Sequence, residues 1–213
     1  MAWANGLGGG GFRIGEFEMK RLFVLLLCCF AIGGAIATKV EAAKIGEDGL
    51  HKQAWFSITF KDVREDIEAA KQAGKRLAII IEQRGCIYCK KLHETVLSDP
   101  AIAKYIADNF MVVQYNMFGD EEVIDLDGKT LTEKTAVRRW GLAYTPTVLF
   151  MPENAPASVA ASGGITARSI AVNVMPGAFG KATTLHMFMW VREKGYLKNE
   201  PFQKYHARKL KAR

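Results

Sequence analysis

The stretch LAIIIEQRGCIYCKKLHETVL, residues 77–97, decides how the rest of the 213-residue chain is read. Arg76 to Glu82 is nearly continuous in apolar character, the pattern of a central strand buried on both faces. Glu82-Gln83-Arg84-Gly85 breaks it, and Cys86-Ile87-Tyr88-Cys89 follows at once. Leu92, Val96 and Leu97 then recur at helical spacing until Ser98-Asp99-Pro100. The pattern predicts a strand that hands two cysteines to the first turn of a helix. There the unpaired N–H groups and the positive end of the helix dipole favour a thiolate. Cys86, nearer the helix start, is the expected nucleophile. Cys89, one turn on and more buried, is the expected resolving thiol, and the two-residue spacer keeps the sulfurs within bridging distance.

Outward from this stretch, Asp62 to Gly74 reads as an amphipathic helix with Val63, Ile67, Ala70 and Ala73 on one side and Gly74 closing it. Trp55 to Phe60 is a short leading strand or a loop. Asp99 or Ser98 caps a helical piece with Pro100 in its first turn and Ile102, Tyr105 and Ile106 on one face. Phe110 to Tyr115 is a second strand. Residues 116–132 hold an Asp127-Gly128 turn that predicts a small hairpin. Glu133 to Trp140 is a short helix stopped at Gly141, and Thr145-Pro146 leads into a strand over Thr147 to Met151. A connector over 152–164, a strand within Ile165 to Met175 and a helix over Phe179 to Lys194 complete an alternating α/β order with a mixed sheet.

The chain is 49% hydrophobic and 24% charged, enough for one globular domain with a core of its own. Lys20-Arg21, the apolar run Leu22 to Ala37 and the small-residue site Val40-Glu41-Ala42 predict a signal peptide over 19–42, and hence a periplasmic location. Met19 is the expected start, with 1–18 an unstructured or non-native extension. Loss of Cys28 and Cys29 with the signal leaves Cys86 and Cys89 as one pair, too few for a disulfide framework. Residues 43–54 read as a flexible segment, 55–198 as the folded domain and 199–213 as a basic tail. The net charge of +7 is local. Residues 43–180 carry 16 Lys/Arg against 17 Asp/Glu, whereas 181–213 carry nine against Glu193 and Glu200. That excess reads as a solvated face rather than a nucleic-acid surface, since no DNA- or RNA-binding motif accompanies it.

Strand order, Cys86-x-x-Cys89 and Thr145-Pro146 together resemble the thioredoxin fold, a mixed central sheet flanked by helices, here with a short hairpin-like insert before the Thr-Pro loop. Further landmarks narrow the resemblance. Cys86-Ile-Tyr-Cys-Lys-Lys-Leu-His-Glu, Asp99-Pro100-x-Ile102, Gly119-Asp-x-Glu-Val, Asp127-Gly128, Glu133-Lys134, Arg139-Trp140-Gly141, Thr145-Pro-Thr and Val191-Arg-Glu-Lys-Gly-Tyr196 are similar to the SoxW-like periplasmic thioredoxins of the sulfur-oxidation system, over about residues 55–200. The resemblance implies a cis Pro146 opposite the dithiol, with Thr145, Pro146 and Tyr88 at the substrate. It also implies a monomeric reductase of client-protein disulfides, in sulfur oxidation or cytochrome c maturation, fed by a membrane thiol transporter of the CcdA/DsbD type. No metal or other cofactor is called for.

Three positions depart from ordinary thioredoxins. Ile80 stands six before Cys86 where they keep a buried Asp, Gly85 replaces the usual Trp, and the spacer is Ile-Tyr. Glu82 is the candidate for proton handling, against a simple solvated strand end. His93 is read as a surface residue or as a group tuning Cys89, and Trp140 as rim or core. An inert disulfide, half of a zinc site completed by His93 and His51, a non-catalytic binding or chaperone module, and a disulfide donor are the competing readings. Haem attachment is excluded, because Lys90 rather than His follows Cys89.

Overall fold

The computed structural model describes residues 44–157 and 164–212. The expected N-terminal extension, the start at Met19 and the signal peptide lie outside the described residues. Among the described residues no helix is long and apolar enough to cross a membrane.

In chain order the elements are β1 (Lys44–Ile45), β2 (His51–Lys52), α1 (Val63–Gln72), β3 (Arg76–Glu82), α2 (Ile87–Leu92) running into a π-helical turn (His93–Leu97), α3 (Pro100–Asn109) and β4 (Phe110–Asn116). There follow β5 (Glu122–Ile124), β6 (Thr130–Thr132), α4 (Glu133–Arg139), β7 (Thr147–Phe150), α5 (Ala167–Ile170), β8 (Asn173–Pro176), α6 (Lys181–Arg192) and α7 (Phe202–Lys211). The main sheet has the order β4-β3-β7-β8. β3 pairs parallel with β4 and antiparallel with β7, which pairs antiparallel with β8.

β3 is buried along its whole length, as its apolar run requires. Its side chains alternate between two cores. Leu77, Ile79 and Ile81 meet Val63, Ile67 and Val137 from α1 and α4, whereas Ala78 and Ile80 meet Leu92, Ile106 and Phe188 from α2, α3 and α6. Glu82 continues the second set, so its carboxylate points under the cysteine-bearing helix. Arg76 opens the same set and is buried. Its guanidinium donates to the carbonyls of Val191 and Met151, both at 2.9 Å, tying the start of β3 to the ends of α6 and β7.

Local signals act where expected. Asp62 caps α1 by accepting from Arg64 and Glu65 N–H, and Asp99 caps α3 with Pro100 in its first turn. The hairpin β5–β6 turns at Asp125–Lys129, where Gly128 has φ +76°.

Three expectations are corrected. Residues 43–54, read as flexible, form from Lys44 onward the β1–β2 pair with Leu50 and Gln53 buried. The chain then runs as a strap along the outer edge of β4, where Ser57 N–H donates to Val112 O at 2.8 Å and shields an otherwise open strand edge. The basic tail is mostly helix α7, held to α6 by buried Tyr205, whose hydroxyl donates to Glu193 at 2.8 Å, and by a 2.8 Å contact between the Nδ1 atoms of His206 and His186. Its charges hide a face formed by Phe202 and Tyr205. Finally, the strand expected within 165–175 is confined to β8 and preceded by one helical turn, α5, which Thr166 caps.

Asp66 on α1 is 4% exposed, and burial pushes its carboxyl up to about 6, with Asp62 and Glu65 adding repulsion and a bond from Thr59 opposing. A carboxyl raised on folding contributes its full stability below the unfolded value near 4 and loses it as pH rises through 6. Asp66→Asn is therefore expected to stabilise the protein by about 1–3 kcal/mol at pH 8 and negligibly at pH 4. Urea denaturation at the two pH values measures this, and equal effects at both would contradict it.

Candidate functional site

β3 ends at Glu82, and Gln83-Arg84-Gly85 turns the chain into α2, with Gly85 at φ +72°. That backbone state strains any residue with a Cβ, which accounts for Gly85 where a Trp was the expected family residue. Cys86 is the N-cap of α2, and its sulfur accepts the N–H of Cys89 at 3.0 Å. Cys86 and Cys89 form a disulfide with Cα atoms 5.2 Å apart. Cys86 is 7% exposed and Cys89 1%, so an approaching molecule meets Cys86 first.

The opposite wall is the loop into β7. The Thr145–Pro146 bond is cis, and the Thr145 hydroxyl lies 3.4 Å from the Cys86 sulfur as donor. Gly177 N–H donates to Pro146 O at 2.6 Å, pinning the end of β8 beside this loop. A groove of about 460 Å³ opens here, lined by Tyr88, Tyr144, Thr145, Pro176, Ala178 and Phe179. Ile87, Tyr88 and Tyr144 are well exposed, an apolar rim around the less exposed sulfur. Tyr88 and Thr145 thus line one groove, beside the cis Thr145–Pro146 bond.

Trp140 is not part of that rim. It is buried against Tyr115, and its indole N–H donates to Asp125 at 3.0 Å.

Glu82, the proton-handling candidate, and His93, read as a surface residue or as a group tuning Cys89, are both 0% exposed, so neither is a solvated side chain. Helical side chains lean toward the preceding turn, so His93 reaches back from one turn below Cys89 toward the end of β3. Its Nε2 lies 3.1 and 3.0 Å from the two carboxylate oxygens of Glu82. Gln114 Nε2 also donates to Glu82, and to His51 O at 2.8 Å. On the other side of the ring, Nδ1 of His93 is 3.2 Å from Nε2 of Gln53. Both imidazole nitrogens are thus engaged by protein, which leaves His93 no free lone pair for zinc. Ile80, in place of the expected Asp, is simply core.

Gln53 and Gln114 were not foreseen. Gln53 lies in a stretch without periodicity and carried no signal. Gln114 did: one amide inside the apolar strand FMVVQYN is a buried polar residue in need of a partner.

The sequence model of a thioredoxin-like domain matches residues 63–171. Among solved structures, the chain is similar to a thioredoxin-fold protein from Helicobacter pylori at 16% identity, over 74% of this chain and 88% of that one, with a TM-score of 0.50. A thioredoxin from Thermus thermophilus is 21% identical over 63% of this chain and 87% of its own, with a TM-score of 0.46. The oxidised C-terminal domain of Neisseria meningitidis DsbD is 13% identical over 62% and 97%, with a TM-score of 0.39. At such identities only the Helicobacter pylori match bears on this chain, and it bears on the fold. No curated protein matches the chain.

Proposed function

The chain belongs to the thioredoxin-like domain family, and from that premise we propose that it is a thiol:disulfide oxidoreductase that reduces client-protein disulfides outside the cytoplasm. The observation that carries this reading is the Cys86 sulfur: it caps α2 beside the cis Thr145–Pro146 bond, at the edge of an apolar groove. A helix N-terminus stabilises the thiolate that must attack. Attack by Cys86 on a client disulfide forms a bond from Cys86 to one client sulfur and releases the other as a thiolate. Cys89 then attacks Cys86, the Cys86–Cys89 bond forms, and the second client sulfur leaves with its electron pair. Thr145, Pro146 and Tyr88 hold the client, and Glu82 takes part in handling the proton that Cys89 gives up.

The finer setting is also proposed. The SoxW-like landmarks support clients in sulfur oxidation or cytochrome c maturation. The basic, apolar and small-residue sequence over 19–42 supports export, and export in turn supports electron supply by a membrane thiol transporter of the CcdA/DsbD type. No cofactor has a part in this scheme, and the protein acts as a monomer.

Cys89→Ser tests the reading directly, because removal of the resolving thiol halts the reaction at the mixed disulfide. Expected are client adducts through Cys86 that thiol reagents release, absent from Cys86→Ser. A protein that yields no adduct, and whose Cys86–Cys89 bond resists physiological reductants, is a binding module instead. A potential near ~−120 mV rather than ~−270 mV makes it a disulfide donor.

A further inference from the structure

The proposed reaction leaves one feature of the sequence without a role, the positive charge gathered toward the C-terminus. Residues 43–180 are near electrical balance, with 16 Lys/Arg against 17 Asp/Glu, whereas 181–213 carry nine against Glu193 and Glu200. A molecule so polarised turns one end toward an anionic surface.

The structure sets that charge on one face of α7. Phe202, Tyr205, His206 and Lys209 turn toward α6 and its C-cap and are buried or half-buried, whereas Lys204, Ala207, Arg208 and Lys211 are exposed on the other side. Lys204, Arg208 and Lys211 follow i, i+4, i+7 spacing, a stripe along the helix. Few carboxylates answer it. Lys209 bonds Glu193 at 3.3 Å on the packed side. Arg208 bonds Glu200 at 3.0 and 3.1 Å, and Lys204 and Lys198 act on the same carboxyl, which the three cations hold below its ordinary range. One carboxylate thus faces three cations, and Lys211 has no carboxylate partner among the described residues.

Two large apolar side chains flank the cations. Leu210, 47% exposed, stands at one margin of the stripe, and Leu197, 71% exposed, ends the 3-10 turn Gly195–Leu197 beside exposed Lys198. Cations alone suit any polyanion. Leucines beside them suit a bilayer, where ammonium and guanidinium groups meet the lipid phosphates and apolar side chains enter the boundary between headgroups and acyl chains.

We propose that the exposed face of α7, with Leu197 and Lys198 beside it, is a docking surface for anionic lipid that holds the protein at a membrane by reversible, peripheral contact. This surface works independently of the dithiol. It also confines the protein to the plane of the membrane thiol transporter proposed above as its electron source.

The test uses the chain from Ala43, the product of the expected signal cleavage, which carries every described element and keeps the apolar run Leu22 to Ala37 out of the measurement. Cosedimentation with vesicles of phosphatidylcholine alone, or of an equal mixture with phosphatidylglycerol, reads the binding at low and at physiological ionic strength. Binding to the mixed vesicles, little to the neutral ones, and a decline as salt rises are expected. In Lys198→Gln/Lys204→Gln/Lys211→Gln the partition onto mixed vesicles drops about 100-fold, at about fivefold per exposed cation. Arginine at the same three positions keeps the charge and is expected to restore native binding. Leu197→Ser/Leu210→Ser weakens binding to vesicles and leaves binding to soluble polyglutamate unchanged. Equal binding to neutral and mixed vesicles, a glutamine variant within twofold of the native chain, or a loss that arginine does not restore overturns the proposal. So does tight binding to polyglutamate without binding to vesicles, which marks an acidic protein as the partner. A chain that binds mixed vesicles as expected but reduces no insulin leaves the lipid surface standing and overturns the reductase reading instead.

Discussion

Lys61→Met is expected to destabilise the protein by about 3–5 kcal/mol at pH 7–8, the cost of stranding a buried charge. Lys61 lies between α1 and the hairpin insert, in the left-handed backbone region at φ +57°. Its ammonium pairs with Glu133 and, at 2.5 Å, with Glu121. Glu121 is exposed and can turn to water, but Glu133 is 2% exposed and cannot. Burial already holds the Glu133 carboxyl above its ordinary range, with Lys61 and a backbone N–H from Asn116 opposing that push. Without Lys61 the push is less opposed, and Glu133 is protonated at higher pH. A carboxyl raised on folding loses stability as pH rises through its folded value, so the deficit is largest at pH 8 and shrinks toward pH 5. Glu133→Gln in the same background should restore most of the loss, since an amide oxygen still accepts from Asn116. Urea midpoints of the single and double variants at both pH values decide it. A deficit independent of pH, or one that Glu133→Gln does not relieve, would show that Lys61 acts through backbone strain and not through charge.

The central strand and its neighbours were legible because their signals are local. Continuous apolar character marked β3, Asp99-Pro100 marked the start of α3, and Asp127-Gly128 marked the hairpin. Each needs only a few adjacent residues, and each was found within a residue or two of its place. The cysteine pair and Thr145-Pro146 were legible for another reason: their spacing matched a known arrangement, and the structure brings the Thr145 hydroxyl to the Cys86 sulfur across 59 positions of sequence.

What escaped is what depends on non-local pairing. Glu82 looks like a polar strand end until the alternation along β3 assigns it to the face under α2. His93 looks like a charged-face residue until its lean toward the preceding turn brings it to Glu82. Gln53 is unreadable in isolation, because its burial comes from the strap folding over an edge that the sequence does not announce. The basic tail misled for a related reason, since a count of Lys and Arg says nothing about the side of the helix on which Phe202 and Tyr205 fall.

The same buried pair carries the largest expected effect on function. Glu82→Gln is expected to slow insulin reduction by about 100-fold at pH 7, within the range typical of a lost proton-transfer group, while the first attack by Cys86 proceeds. In the proposed reaction the N-terminus of α2, which the substitution does not touch, favours the attacking Cys86 thiolate. Cys89 has no such help at 1% exposure and must lose a proton while shielded from bulk water. The Glu82–His93 pair lies on the Cys89 side of the helix, one turn away, and glutamine keeps its size but not its charge. The new amide also faces Gln114 Nε2, a second donor, so a loss of about 1–2 kcal/mol in stability should accompany the change. That loss does not imitate the kinetic signature. Blocked resolution makes the Cys86 mixed disulfide accumulate in single-turnover experiments, and raising the pH toward 9 narrows the gap as hydroxide takes over removal of the proton. A general weakening of the fold would slow both steps and recover at neither pH. If Glu82→Gln turns over within twofold of the native protein with no accumulated mixed disulfide, the buried carboxylate is structural and Cys89 passes its proton to solvent by another route.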